Sequence, residues 1–150
     1  MPTHRFEGRL TWRAGAAGPA ADVHRIEFAG RPTLELSGAP QYGGDATKLN
    51  PEELLVASLA SCQMLTYLAF AARAGVEVLA YEDAPVATLA MVDKKMRIAE
   101  ILLRPQITIG AGGDVAAAHA LVERAHERCF IANSLACAMR LEPEIRRGGA

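Results

Sequence analysis

Asn50-Pro51-Glu52-Glu53-Leu54-Leu55-Val56-Ala57-Ser58-Leu59-Ala60-Ser61-Cys62 opens the longest regular element of this 150-residue chain. Asn50 is a good N-cap because its side-chain oxygen accepts backbone N–H groups that the first turn leaves free. Pro51 fits the first helical position, and Glu52 and Glu53 suit the positive end of the helix dipole. No charged residue follows from Leu54 to Ala72, and Gly75 stands where a glycine ends a helix. The pattern predicts one long helix at the centre of the fold, apolar on nearly every side. The segment is about long enough to span a bilayer. Ser58, Ser61, Gln63, Thr66 and Tyr67 interrupt it, Glu52 and Glu53 sit at one end, and no second such segment follows; no membrane partner is expected.

Upstream of the helix the residues alternate as strands do. Phe6, Leu10 and Trp12 alternate with polar residues between Arg5 and Arg13, and Ala14 to Pro19 supplies a turn. Val23 to Phe28 and Thr33 to Leu36 are two further short runs, completing a small antiparallel meander. Gly38 to Lys48, rich in glycine, reads as a loop. Downstream, Val76 to Val92 and Met96 to Ile109 are aliphatic and β-branched, split by a hairpin at Asp93-Lys94-Lys95. Asp114 caps a second helix whose apolar positions Val115, Ala118, Leu121, Val122, Ala125 and Cys129 keep helical spacing. Ala136 to Leu141 forms a short last strand. The order of elements is that of an α+β fold.

At 150 residues the chain is most economically a single domain, residues 1–150, without linker or internal repeat. A net charge of −1 leaves no electrostatic footprint for nucleic acid beyond the short Arg146-Arg147 tail. The first residues lack the apolar core of a signal peptide, so a cytoplasmic location is expected, where thiols stay reduced. The three cysteines are then free thiols. Cys62 and Cys129 each lie on an apolar helix face and together read as a redox couple, provided folding brings their Cα atoms within about 7 Å. Cys137 reads as structural. His119 and His126 share a helix face with Cys129, but no second ligand pair at finger-like spacing exists and no metal is expected.

Asn50-Pro51-Glu52-Glu53-Leu54-Leu55 followed by Ala57-Ser58 and Ala60-Ser61-Cys62 resembles the helix signature of the OsmC/Ohr family of thiol peroxidases. The similarity extends along most of the chain, with Glu52 and Cys62 ten residues apart and Cys129 late in the second long helix. The resemblance implies that Cys62 attacks a hydroperoxide as thiolate and that Cys129 resolves the resulting sulfenic acid into a Cys62–Cys129 disulfide. It implies organic hydroperoxides as substrates, with hydrogen peroxide poorer, and a dithiol reductant, of lipoyl type by family expectation. It further implies no cofactor, an intertwined homodimer and a role in the stress response. Thiolate chemistry needs a lowered thiol pKa, which family members obtain from an arginine held by the motif glutamate. Glu52 inherits that role by resemblance. Many relatives place the arginine nine or ten residues before the glutamate; here those positions are Gly43 and Tyr42, and neither is a cation. An arginine from the N-terminal strands is the alternative, with Arg25 first and Arg13 and Arg31 behind it.

Ten residues on a straight helix span about 15 Å, so Glu52 cannot touch Cys62 of the same unbroken helix. Either the helix breaks near its start or two subunits pack together. Two other functions fit the same fold: a non-catalytic binding or scaffold dimer whose cysteines are packing residues, and a thiol redox sensor.

Overall fold

The computed structural model describes residues 2–15 and 22–149; most of the turn expected at Ala14 to Pro19 lies outside them. The chain divides into two compact units, residues 1–54 and 55–150. In the first, β1 (Gly8–Thr11), β2 (His24–Phe28) and β3 (Leu34–Leu36) form an antiparallel sheet in that order. Register places Leu10, Ile26 and Leu34 side by side, and Thr11, Arg25 and Glu35 likewise; successive residues of a strand face opposite ways, so these rows lie on opposite faces. Leu10 remains 65% exposed on the apolar face. The loop after β3 is tied down by polar groups. Asp22 accepts the Ser37 hydroxyl at 2.6 Å and the Gly38 N–H at 2.7 Å, and the Ser37 oxygen accepts the Asp45 N–H at 2.8 Å.

Helix α1 (Pro51–Arg73) begins as its sequence predicts. Asn50 Oδ1 accepts the Glu53 N–H at 2.9 Å, and Glu53 Oε2 accepts the Asn50 N–H at 3.1 Å. This reciprocal capping box assigns the capping role to Glu53 and leaves the Glu52 carboxylate outside it. At the other end Gly75 adopts φ 72° and the Val76 N–H reaches back to the Ala71 carbonyl at 2.9 Å, a Schellman closure that favours glycine. Ser58 and Thr66 donate to the helix's own carbonyls of Leu55 and Cys62, at 3.0 and 2.8 Å, which is how an apolar helix carries hydroxyls. Its buried residues are Leu59, Gln63, Tyr67 and Ala71, a single stripe at four-residue spacing.

The aliphatic runs that follow are interrupted where the sequence pattern showed continuity. They form β4 (Val78–Glu82), β5 (Val86–Val92), β6 (Lys95–Leu103) and β7 (Gln106–Ile109), and the last strand is followed by another, giving β8 (Ala138–Leu141) and β9 (Glu144–Arg147). The interruptions contain Pro85, Pro105 and Pro143. Proline has no N–H to continue a ladder, and the chain bridges the gap with other donors. Asp83 Oδ1 accepts the Arg104 N–H at 2.8 Å, the Arg104 guanidinium donates to the Ala84 carbonyl at 3.0 Å, and the Glu144 N–H donates to the Pro105 carbonyl at 2.9 Å. Two three-stranded sheets result, β4-β7-β9 and β5-β6-β8, in which β8 and β9 run parallel to β6 and β7. The β5–β6 turn holds Asp93 and Lys94 at φ 51° and 62°, the positive pair that matches strand twist in a two-residue hairpin.

Helix α2 (Val115–Arg128) starts at Asp114, whose carboxylate accepts the Ala116 and Ala117 N–H groups. Its buried face is Ala118, Leu121, Val122 and Ala125, as the spacing predicts. Those residues pack with Tyr67 and Ala71 of α1 and Ile107 and Ile109 of β7. A second cluster joins Leu59 of α1, Ile101 and Leu103 of β6, Cys129 and Ala132.

Candidate functional site

Cys62 and Cys129 meet at that second cluster. Cys62, half-buried on α1, packs against it, while Cys129 is a fully buried member at the C-cap of α2. The backbone leaves the helix at Cys129 with φ −70° and ψ 117° and re-forms a short 3-10 turn at Ala132–Ser134. This exit frees a run of backbone N–H groups beside the two sulfurs. The Ala132 N–H donates to Cys129 Sγ at 3.5 Å.

The two thiols are pushed in opposite directions. Burial is the largest influence on Cys62 and raises its pKa. The Ile131 N–H, the Cys129 side chain, the Phe130 N–H and the Thr66 side chain act against it and hold the thiol below its usual 9.0. Cys129 is pushed up to about 11, first by burial and then by the neighbouring Cys62, against the opposing Ala132 N–H. The directions fit one order of ionisation: Cys62 loses its proton before Cys129, whose thiol can then donate to the Cys62 sulfur. Nucleophilicity follows the thiolate, so these directions make Cys62 the better nucleophile of the two sulfurs. The groups that lower Cys62 include main-chain N–H donors, for which a sequence carries no residue signature.

Beside Cys62 lies a residue that sequence reasoning passed over. Gln63 is completely buried; its Nε2 donates to the Val122 carbonyl at 3.1 Å and its Oε1 stands 3.3 Å from His126 Nδ1. One turn along α1, the Tyr67 hydroxyl donates to the Ala118 carbonyl at 3.2 Å. The available signal was a lone amide at the inward position of an otherwise apolar stripe, where a buried polar group needs a partner. These bonds also mark α1 as a helix packed against protein, although its length and composition alone would suit a bilayer.

The remaining expected residues are distributed as follows. Glu52 is half-buried near the start of α1, which is continuous from Pro51 to Arg73, so it does not approach Cys62 along its own helix. Arg25 pairs with Glu35 at 3.0 Å, and Lys48 holds the other oxygen of that carboxylate at 2.8 Å; these cations, Lys48 foremost, keep Glu35 below the usual carboxylate range. Gly43 closes a 3-10 turn (Pro40–Tyr42) in the left-handed region at φ 82°. Cys137 precedes β8 and packs against the cluster that contains Cys129, while Arg140 pairs with Glu100 and Glu142.

The fold is that of a class of known proteins. The sequence model described as OsmC-like protein matches residues 43–144, and the chain belongs to that family, the OsmC/Ohr family. It is 27% identical over 99% of both chains to the uncharacterized protein YmaD of Bacillus subtilis (strain 168). An OsmC-like protein of unknown function from Vibrio cholerae superposes with a TM-score of 0.88 at 27% identity, covering 95% of this chain and 100% of that one. An organic hydroperoxide resistance protein OsmC from Legionella pneumophila superposes with a TM-score of 0.70 at 19% identity, covering 97% and 98%.

Proposed function

We propose that this protein is a cytoplasmic thiol peroxidase that reduces organic hydroperoxides, and hydrogen peroxide less well, as part of an oxidative stress response. The observation that carries this reading is the pair of adjacent thiols with opposed acidities, Cys62 lowered and Cys129 raised. The Cys62 thiolate attacks the terminal oxygen of the hydroperoxide; the O–O bond breaks, the alcohol leaves after taking up a proton, and Cys62 becomes a sulfenic acid. The Cys129 thiol then displaces that oxygen as water and the disulfide forms. An external dithiol, of lipoyl type, restores both thiols by exchange. Leu65 and Phe130, 59% and 82% exposed, together with buried Leu59, offer apolar surface for an alkyl chain. The Legionella relative's description supports a hydroperoxide substrate by analogy of fold.

Assembly as a homodimer completes the proposal. Glu52 reaches a thiol only across subunits, and the apolar sides of α1 outside its buried stripe call for a cover. In such a dimer Glu52 positions an arginine over Cys62, Arg25 being the first candidate once released from Glu35. That existing Arg25–Glu35 pair also favours a second reading, a non-catalytic binding or scaffold dimer. Steady-state assays with cumene hydroperoxide and a dithiol decide between them. Turnover at least tenfold above a Cys62→Ser control is expected; equal rates leave the non-catalytic dimer.

A further inference from the structure

Gln63 follows the attacking cysteine in sequence, and His126 precedes the resolving cysteine by three residues. The Gln63 side chain bridges two points one turn apart on α2, the Val122 carbonyl and His126 Nδ1. A carbonyl only accepts, so the amide nitrogen must face Val122 and the amide oxygen must face His126. That oxygen also only accepts, which requires the proton of His126 to be on Nδ1. Neutral histidine in this tautomer and the imidazolium both satisfy the contact. Small apolar side chains such as Ala118, Val122 and Ala125 do little to stop one helix sliding along the other, and the Tyr67–Ala118 bond fixes a single point. A buried amide bound to two groups does more, because a shift of one residue would leave its donor and acceptor unpaired in an apolar interior.

Resting on the peroxidase reading, we propose that Gln63, through His126 and the Val122 carbonyl, is a positioning residue that sets the register of α1 against α2 so that Cys129 reaches the oxidised Cys62. The step it serves is the condensation of the Cys62 sulfenic acid with the Cys129 thiol. An S–S bond forms, the S–O bond breaks, and the oxygen leaves as water with the thiol proton. The first step, attack on peroxide, needs only Cys62 and its immediate donors.

Gln63→Leu keeps the volume and removes both bonds. In a single turnover with cumene hydroperoxide, Gln63→Leu is expected to consume peroxide within about twofold of the wild-type rate but to form the disulfide at least tenfold more slowly. Sulfenic acid trapped by a 1,3-diketone rises accordingly. His126→Asn, whose amide N–H can donate to Gln63 Oε1, is expected to retain the disulfide rate within about threefold, and Tyr67→Phe, which loses the bond one turn beyond Gln63, serves as a packing control with a similar small effect. A readout independent of peroxide is the equilibrium of the Cys62–Cys129 bridge in glutathione buffer. The disulfide of Gln63→Leu should be about tenfold less favoured than wild type, equivalent to about 30 mV for a two-electron couple. Loss of the bridge equilibrium in Gln63→Leu upholds the positioning role even if the wild type consumes no peroxide, an outcome that defeats only the peroxidase reading. Wild-type values for both disulfide rate and bridge equilibrium in Gln63→Leu, or equal losses in Tyr67→Phe, overturn it.

Discussion

At the scale of the residue, two cysteines of the same apolar cluster are different acids because their donors differ. Main-chain N–H groups of Phe130 and Ile131 face Cys62, whereas Cys129 is enclosed and lies beside the charge it helps to stabilise. Reaction of Cys62 with iodoacetamide should therefore show a midpoint below pH 9.0, with Cys129 unreactive in the folded protein. A midpoint at or above the ordinary thiol value would contradict the assigned polarity. The same shifts act on stability with opposite signs. Cys62, lowered in the folded state, contributes stability above the unfolded thiol value, which is lost as pH falls through its folded value. Cys129, raised, contributes stability present below the unfolded value and lost as pH rises towards about 11. The urea midpoint of the wild type should thus fall relative to that of Cys129→Ala between about pH 9 and 11, and a constant difference across that range would argue against the shift.

At the scale of the element, both ends of α1 and the start of α2 were legible because capping is local chemistry. Asn50, Pro51, Gly75 and Asp114 carry their signals within a few residues of themselves. The divided strands were harder to see. Pro85, Pro105 and Pro143 are visible in the sequence, but their effect depends on three strands aligning their gaps, and the donors that close those gaps are long-range. Gln63 was obscured in a similar way, since a glutamine in an apolar run is an interruption until its partners on α2 are known. The interruption after β4 makes a further prediction. Asp83 Oδ1 has its partner, yet Oδ2 is buried without one, as is the Tyr81 hydroxyl. Burial is the main cause that raises the Asp83 pKa. A carboxyl raised in this way contributes stability below its unfolded value, lost as pH rises through the folded one, so at neutral pH its ionised form is a net cost. Asp83→Asn keeps the acceptor for Arg104 and removes the charge. It should raise the urea midpoint at pH about 7 and lose that advantage below pH about 4; no gain at neutral pH would refute the account.

At the scale of the whole molecule, the sequence conveyed the family and the cysteine pair, but the arginine could not be read from it. Cys62 lies beside the buried stripe of α1 and Cys129 at the C-cap of α2, whose apolar face is periodic, so helix packing brings them together. A guanidinium site depends on loop and subunit geometry, and in the single chain Arg25 is engaged by Glu35. If a dimer lets Glu52 hold Arg25 over Cys62, then Glu52→Ala and Arg25→Ala should each slow peroxide reduction at least tenfold, and the double variant should cost little more than either alone, since residues acting as one unit are not additive. Sedimentation should report twice the chain mass for all three. An effect of Arg13→Ala or Arg31→Ala without one of Arg25→Ala would move the assignment to that residue. No effect at any of the three would leave the main-chain donors of Phe130 and Ile131 as the activating groups.

The central claim is that Cys62 and Cys129 act in sequence on a hydroperoxide, and intact-protein and peptide mass spectrometry after one equivalent of cumene hydroperoxide tests it most directly. The account predicts the loss of two hydrogens mapped to a Cys62–Cys129 bridge in the wild type, and sulfinic or sulfonic acid at Cys62 in Cys129→Ser under excess peroxide. Unmodified thiols in the wild type, or a bridge that excludes Cys62, would contradict it.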